Sequence, residues 1–524
     1  MGGTAQALRL GPFTGGLNSA SDPTAVADSE LVECLNLELD IDGSLVCRPP
    51  IVETTNMSAT WTERIVIIGR AQFAGGTYII GSNSTGTYAY NGTVWSTIRT
   101  GLQARIAIQY QDLLFVVAIA GSAQNGGFWD GTTWTTDANM PKGESAVFHK
   151  SRMYIVPGVA QTGAAAHQLR FTDPISVATP TPLVWSAANL IPVSQGDGEK
   201  LIEVVIYNDN LMLFKQDSTY VLAYDLTPTD AILRKVNNSI GATTHHCVVV
   251  YENSIFTYHE GRIYEIVNYD FQHINIKTPF LFDGNTPSTR AEEVFICIVG
   301  DRLITRYYNR IYVFGLKTRT WSRWESANAD LHNFGPLVEF PSNPTQFVNT
   351  RYFGGSSVLA NEKMYVVADG YDAVTVESTL TPALFDITCT ITTKNYDLAD
   401  SHHYKKLMWW GADIVSNRDI VGIATPIIAN FQVKWIDLIS FTWEDLSMNT
   451  WGQPLSDIVS IPTEINDTLA IGRKFIKFLK ALRWRQINYT VSLLCDGSTA
   501  QGPCRIFSLT VVVSSKQTVV KQVN

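Results

Sequence analysis

Asn208-Asp209-Asn210-Leu211-Met212-Leu213, followed closely by Ser218-Thr219-Tyr220-Val221-Leu222, decides the fold. A short polar pair opens an apolar strand, and a second strand returns after a turn. Reading outward, the same arrangement recurs along the chain. It stands at Gly75-Gly76 before Thr77–Ile80, at Gln111-Asp112 before Leu113–Val116, and at Lys150-Ser151-Arg152 before Met153–Ile155. It returns at Glu252-Asn253-Ser254, at Gly300-Asp301-Arg302 and at Asn361-Glu362-Lys363 before Met364-Tyr365-Val366. The steps between equivalent residues are 35, 40, 58, 44, 48 and 61. A period near ~40–50 residues with four strand-like segments per unit is the signature of a β-propeller. One blade cannot bury both of its faces, so blades stack around a ring.

A second repeated element agrees. Tyr88-Ala89-Tyr90-Asn91-Gly92-Thr93-Val94-Trp95 is echoed by Phe128-Trp129-Asp130-Gly131-Thr132-Thr133-Trp134 and, in longer form, by Ile311–Gly315 ending at Thr320-Trp321. Each is a strand, a tight turn and a Trp that opens the next strand. Trp95, Trp134 and Trp321 are expected to be buried between blades. The form is loosely similar to kelch and sialidase repeats, although a sialidase aspartate box needs a residue between Asp and Gly. The irregular steps of 58 and 61 leave six or seven blades over residues 56–380.

The pattern changes beyond 380. Thr388–Thr393 alternates, Tyr404–Asp413 follows, and Ile487–Leu494 and Arg505–Val513 flank an Asp496-Gly497 turn, which together predict an antiparallel β-sandwich over 381–524. Phe475–Trp484 reads equally as a short amphipathic helix or a strand. At the other end, residues 1–55 form a segment with one predicted helix, Asp22 as N-cap and Pro23 first in the helix, running through Leu31, Val32 and Leu35. A hairpin turning at Asp42-Gly43 succeeds it. The fold class is therefore all-β, a propeller followed by a sandwich.

The 524 residues carry 39 basic and 48 acidic side chains, net −9, and only 17% are charged while 11% are aromatic. Few charges and many aromatics point to much interior or large partner surfaces. The acidic balance argues against a general phosphate-gripping nucleic-acid binder. The start lacks the basic-then-apolar pattern of a signal peptide, Gln6 stands where a myristoylation motif needs Ser or Thr, and the longest apolar run, Leu113–Ala120, is too short to span a membrane.

Catalytic chemistry finds no motif. There is no H-E-x-x-H, G-x-S-x-G or Walker A string. His245-His246 and His402-His403 are adjacent pairs, which on a strand point to opposite faces and do not chelate together. Seven Cys show no C-x-x-C, and only Cys495 and Cys504 are placed to face each other across a hairpin. Asp40-Ile41-Asp42-Gly43 opens like a calcium loop but has Ile51 where the loop needs Glu. Loop acids Asp197, Glu199, Asp209 and Asp217 read as solvated, Trp321 with Trp324 as packing rather than sugar stacking, and the triplets at Asn83, Asn91 and Asn488 as turn and strand chemistry. The expectation is no enzyme, with no catalytic, cofactor or metal residues.

Gly11-Pro12-Phe13-Thr14-Gly15-Gly16-Leu17-Asn18, Asp22-Pro23, Asn36-Leu37-Glu38, Asp42-Gly43-Ser44-Leu45 and Arg48-Pro49-Pro50 together resemble the opening of bacteriophage tail proteins. Asn210–Tyr224 with Leu233–Gly241 resembles their propeller blades. A propeller followed by a terminal sandwich is similar to the tail nozzle or hub proteins of short-tailed phages. The resemblance implies a virion structural protein, made in the host cytoplasm and resident in the virion tail. It implies a homo-oligomeric, hexameric ring that contacts a tail adaptor and a tail fibre or spike, while DNA passes without specific binding. A neutral or acidic channel wall suits that passage. The other class is a glycan-binding or glycan-cleaving propeller acting as a receptor-binding protein. The glycine-rich residues 1–20 are expected to dock on the propeller edge, partly shared with a neighbour, so that trimming them weakens ring assembly more than monomer stability.

Overall fold

The polar pairs turn the chain through left-handed backbone. Lys150 and Ser151, and likewise Asn208 and Asp209, have φ between 45° and 59°, which is the conformation of a two-residue hairpin whose twist matches its strands. Asn91-Gly92 and Asp130-Gly131 place their glycines at φ 94° and 97°. In the latter turn Asp130 Oδ1 accepts from the N–H groups of Thr132 and Thr133 at 2.8 and 2.7 Å. The computed structural model describes residues 5–54, 65–92, 94–158, 162–175, 183–223, 230–279, 294–307, 310–326, 334–341, 350–356 and 364–367, and then 372–375, 382–385, 387–396, 405–415, 420–427, 461–463, 474–478, 482–484, 486–495 and 505–515.

Among the described residues these hairpins build seven blades. Residues 66–100, 104–136, 145–192, 201–237 and 248–273 each form a four-stranded antiparallel sheet in chain order. Blade 6 is Val294–Val299, Arg302–Tyr307, Arg310–Gly315 and Trp321–Trp324. Blade 7 is Phe334–Pro341, Thr350–Ser356 and Met364–Val367, and its fourth strand is Ile51–Thr54 from the beginning of the chain. Each first strand packs on the first strand of the next blade, and Phe334–Pro341 packs on Val66–Phe73. The ring is closed by an early strand in a late blade, and the same sheet continues beyond Ile51–Thr54 through Asp372–Thr375 to Pro382–Phe385. The seventh repeat start, at Met364, marks a third strand where the other six mark second strands. Taking Thr350–Ser356 instead removes the long step.

The early chain also enters the terminal sandwich. One sheet joins Lys405–Val415 to Arg505–Ser515, and adds Lys474–Phe478 and Leu482–Trp484 on one side. On the other side of Arg505–Ser515 lie Ala5–Leu10 and the hairpin Leu37–Leu39 with Leu45–Cys47. The second sheet continues blade 6: Trp321–Trp324 meets Glu30–Leu35, followed by Ile387–Thr393, Gln486–Cys495, Ile420–Ile427 and Ile461–Thr463. Leu31, Leu37, Leu45, Ile391, Val491, Ile506 and Leu509 share one core with Ile263, Phe314 and Trp321 of blades 5 and 6. The segment 1–55 is thus divided between both sheets and the last blade. Phe475–Trp484 resolves into strands.

The predicted helix is absent. Asp22 Oδ1 accepts from the N–H and hydroxyl of Thr24, and Ala25 N bonds back to Asp22 O at 2.8 Å. This is an isolated turn, and Glu30–Leu35 then runs as a strand. Asp22 closes a turn rather than capping a helix, because a strand fits between blade 6 and Ile387–Thr393 and tertiary pairing overrides a short helical pattern. The helical turns of the described residues include the 3-10 segments Gly163–His167 and His245–Cys247.

The three repeat tryptophans differ. Trp321 is buried against Phe314, with ring centroids 4.9 Å apart, and its indole N–H donates to Ile274 O of the blade 5 edge at 3.0 Å. Trp95 and Trp134 are only half-buried. The aromatic that fills the gap between blades 1 and 2 is Trp129, edge-on to Phe73 and Tyr78 at 5.2 and 5.4 Å. Trp321→Ala is therefore expected to cost about 3–4 kcal/mol, and Trp134→Ala only about 1–2 kcal/mol, in line with partial burial. Urea unfolding of both variants separates the two, and equal losses would remove this ranking. Trp324 is also buried, so neither Trp321 nor Trp324 offers a ring face to a sugar.

Candidate functional site at the channel mouth

In an antiparallel blade the connections between blades and the turns from second to third strand emerge at the same end. At that end the first strands of blades 2 to 5 begin, and the side chains of Arg105, Glu144, Glu203 and His245 come near enough to act on one another's charge. Arg105 sits on a bulge of Ala104–Tyr110, and a second bulge lies just before Glu203 on Leu201–Tyr207. A bulge turns a side chain out of the regular alternation. Glu144 and Ser145 open blade 3, and His245 and His246 lie on the 3-10 turn that leads into blade 5.

Glu144, Ser145 and Glu203 are buried. Ser145 Oγ donates to Glu203 Oε1, and Val204 N–H donates to the same carboxylate oxygen at 3.2 Å. His245 Nδ1 lies 3.8 Å from Glu144 Oε2, while His245 Nε2 has no partner among the described residues. The two histidine rings are 3.6 Å apart. They lie side by side because a 3-10 turn, not the expected strand, carries them. His402-His403 and Cys504 fall outside the described residues, as do the side chains of Asn488 and Cys495.

Electrostatics follows from burial. Burial pushes the Glu203 carboxyl well above its ordinary 4.5; the bonds from Ser145 and Val204 oppose this, and the Glu144 charge adds to it. Burial holds His245 well below its ordinary 6.5, and His246 and Arg105 push the same way. Burial also lowers the Arg105 guanidinium, and Glu144 counteracts it. A carboxyl whose proton affinity is raised by burial and a neighbouring carboxylate can donate a proton or a hydrogen bond.

The pH dependence has two opposite limbs. Stability from Glu203, whose folded value is raised, is complete below about pH 4.5 and is lost as pH rises through the raised value. Stability from His245, whose folded value is lowered, is complete above about pH 6.5 and is lost as pH falls through the lowered value. Glu203→Gln keeps a neutral acceptor for Ser145, so it is expected to gain on the parent by about 1–3 kcal/mol as pH rises above about 4.5. A pH-independent difference in urea stability between the two proteins would refute the assignment.

The expected solvated acids separate here. Asp209 is exposed, and Asp217 largely so. Asp197 instead binds the ammonium of Lys215, whose side chain is fully buried and also donates to Val193 O and Ser194 O at 3.3 and 3.2 Å. Burial raises the Asp197 carboxyl, but the Lys215 bond and its charge outweigh that and hold it below the ordinary value. Gly241 lets the chain pass over this lysine, since a Cβ there would stand 2.2 Å from Lys215 O. Arg505 Nη1 reaches Asp40 and Asp42 at 3.1 and 3.2 Å, so the calcium-like string is bound to an internal cation. Asn83 and Asn91 accept turn N–H groups, as their sequence suggested. Sequence reading missed Arg105, Glu144, Glu203 and Lys215. The signal was a charge within an apolar strand, as in Leu201-Ile202-Glu203-Val204-Val205.

No protein-family model matches the chain, and no curated protein does. Among solved structures it is similar to the extracellular domain of a putative hybrid two component system from B. thetaiotaomicron, at 9% identity and a TM-score of 0.42, over 70% of this chain and 42% of that one. It is also similar to the Neurospora crassa Pan2 WD40 domain, at 9% identity and a TM-score of 0.38, over 57% and 88% of the two chains. A third likeness is to PorZ, a surface component of the type-IX secretion system of Porphyromonas gingivalis, at 12% identity and a TM-score of 0.36, over 67% and 44%. The chain spans less than half the length of the first and third of these.

Proposed function

We propose that the chain is a structural subunit of a bacteriophage tail, a nozzle or hub protein that assembles into a ring, carries fibres or spikes, and lets DNA pass. The observation that carries this reading is the position of the residues that resemble tail-protein openings. Gly16 is in left-handed backbone, and a Cβ there would stand 2.8 Å from Thr320. Asn18 Nδ2 donates to Glu30 at 2.7 Å, Asn36 links both sandwich sheets, and Arg48 is buried beneath Trp324. The motif thus marks the seam that joins propeller and sandwich, which supports reading it as the mark of a shared architecture. Low charge and abundant aromatics suit a subunit with large interfaces.

The glycan-directed reading is favoured by one feature, the raised proton affinity of Glu203 near Glu144, because acid and base roles in glycoside cleavage need two carboxyls of different proton affinity. Its burial inside the ring argues for the structural reading. Negative-stain microscopy of the purified chain, together with gold-labelled antibody on virions, tests both. Rings and label at the tail axis are expected. A small oligomer that binds a sugar array, with no label on tails, would overturn the proposal.

A further inference from the structure

At the end where the first strands begin, the second-to-third-strand turns of blades 4 and 5 lie side by side. Asp217 is in the first, between Asn210–Lys215 and Thr219–Ala223; His259 ends Ser254–His259, and Glu260 and Gly261 make the second turn at φ 47° and 79°. One ligand atom from each of Asp217, His259 and Glu260 lies within 4.8 Å of the others. His259 Nε2 is 3.9 Å from Asp217 Oδ1 and 4.0 Å from Glu260 Oε2. Neither distance is a hydrogen bond. The imidazole is nevertheless 93% buried, given its 7% side-chain exposure, and Nε2 is aimed between two carboxylates.

We infer that Asp217, His259 and Glu260 bind one divalent transition-metal ion, zinc being the best match, and bridge blades 4 and 5. One imidazole with two carboxylates is a donor set for such an ion. Tetrahedral bonds of about 2.0–2.2 Å place neighbouring ligand atoms about 3.4 Å apart. The observed gaps close by a small motion of two exposed carboxylates toward a fixed imidazole. The Asp217 turn is held from behind: Glu199 Oε2 accepts Asp217 N–H at 3.3 Å and Ser218 Oγ–H at 2.6 Å. Such outer support keeps a ligand oriented. The ammonium of Lys215, two residues away, is turned to Asp197 and two carbonyls and leaves the Asp217 charge for the ion. Three protein ligands leave the ion a fourth position open to solvent, for water or for a side chain of a neighbouring molecule.

The test is titration of the full, tag-free, chelator-treated chain with Zn²⁺ by calorimetry and with Co²⁺ by visible absorption. One equivalent is expected to bind with a Kd on the order of 1–10 μM. His259→Gln and Glu260→Gln should each weaken binding at least about tenfold. Glu260 is exposed, so E260Q keeps the metal-free melting curve of the parent even if H259Q disturbs packing. The double variant H402Q/H403Q should bind like the parent. Absence of saturable binding below about 1 mM, full binding by E260Q and H259Q, or loss of binding in H402Q/H403Q alone would each overturn the assignment.

Discussion

Removal of residues 1–20 is expected to destabilise the isolated subunit by about 5–9 kcal/mol, the sum for three buried apolar side chains at about 1.5–3 kcal/mol each. Those side chains are Leu10, Phe13 and Leu17, all in the main core. The backbone loses partners too. Ala5–Leu10 pairs with the strand Arg505–Ser515, Ser19 and Ala20 donate to Lys277 O at 2.9 and 3.2 Å, and Thr278 Oγ1 donates to Leu17 O at 2.9 Å. Removal exposes a strand edge of the terminal sheet, which invites aggregation. The expectation that trimming acts on assembly more than on monomer stability therefore changes sign. Glycines at 11, 15 and 16 suggested a segment too costly to order alone; its own sandwich supplies the order. Urea unfolding at low protein concentration measures the loss. A truncated chain with the parent's midpoint, or one that fails only in ring formation, would show that the anchors contribute little.

What the residues disclosed, and what they hid, follows from range. Type I′ turns and Asn-Gly or Asp-Gly corners are local, so Lys150-Ser151, Asn208-Asp209 and Asp130-Gly131 announce blades directly. Pairing between distant segments leaves no local mark. Nothing around Ile51–Thr54 says that its partner is Met364–Val367, and nothing around Glu30–Leu35 says that it lies between Trp321–Trp324 and Ile387–Thr393. The helix at Asp22 was misread for that reason. The buried charged cluster is hidden in the same way: Arg105, Glu144, Glu203 and His245 belong to four consecutive blades and meet only when those blades pack. Asp217 and His259 are each ordinary turn-end residues, and their proximity is a product of neighbouring blades. A charge such as Glu203 inside an apolar strand is the one local signal that could have raised the question.

Arg48→Met is expected to cost about 4–6 kcal/mol, because it leaves several buried acceptors without their charged donor. Arg48 is 2% exposed. Its Nε donates to Asn36 Oδ1 at 2.9 Å, Nη1 to Pro49 O at 2.9 Å and Nη2 to Glu325 O at 3.0 Å, and its guanidinium lies 5.8 Å from the Trp324 ring centre. Asn36 is where the chain leaves one sandwich sheet for the other, in left-handed backbone at φ 57°. Its side chain accepts Glu325 N–H at 2.7 Å and donates to Thr388 O at 2.8 Å. Arg48 thus holds the hairpin, the end of blade 6 and both sandwich sheets in one hydrogen-bonded knot. Methionine fills the volume but supplies none of the donors. Lysine keeps the charge, yet one ammonium cannot span the directions that the planar fork reaches, so Arg48→Lys should recover less than half of the loss. Because the knot joins propeller to sandwich, limited proteolysis of either variant should separate the two parts before any blade opens. Unfolding of R48M within about 1 kcal/mol of the parent, the usual effect of a surface change, or full rescue by lysine, would show that the knot is not what joins the two parts.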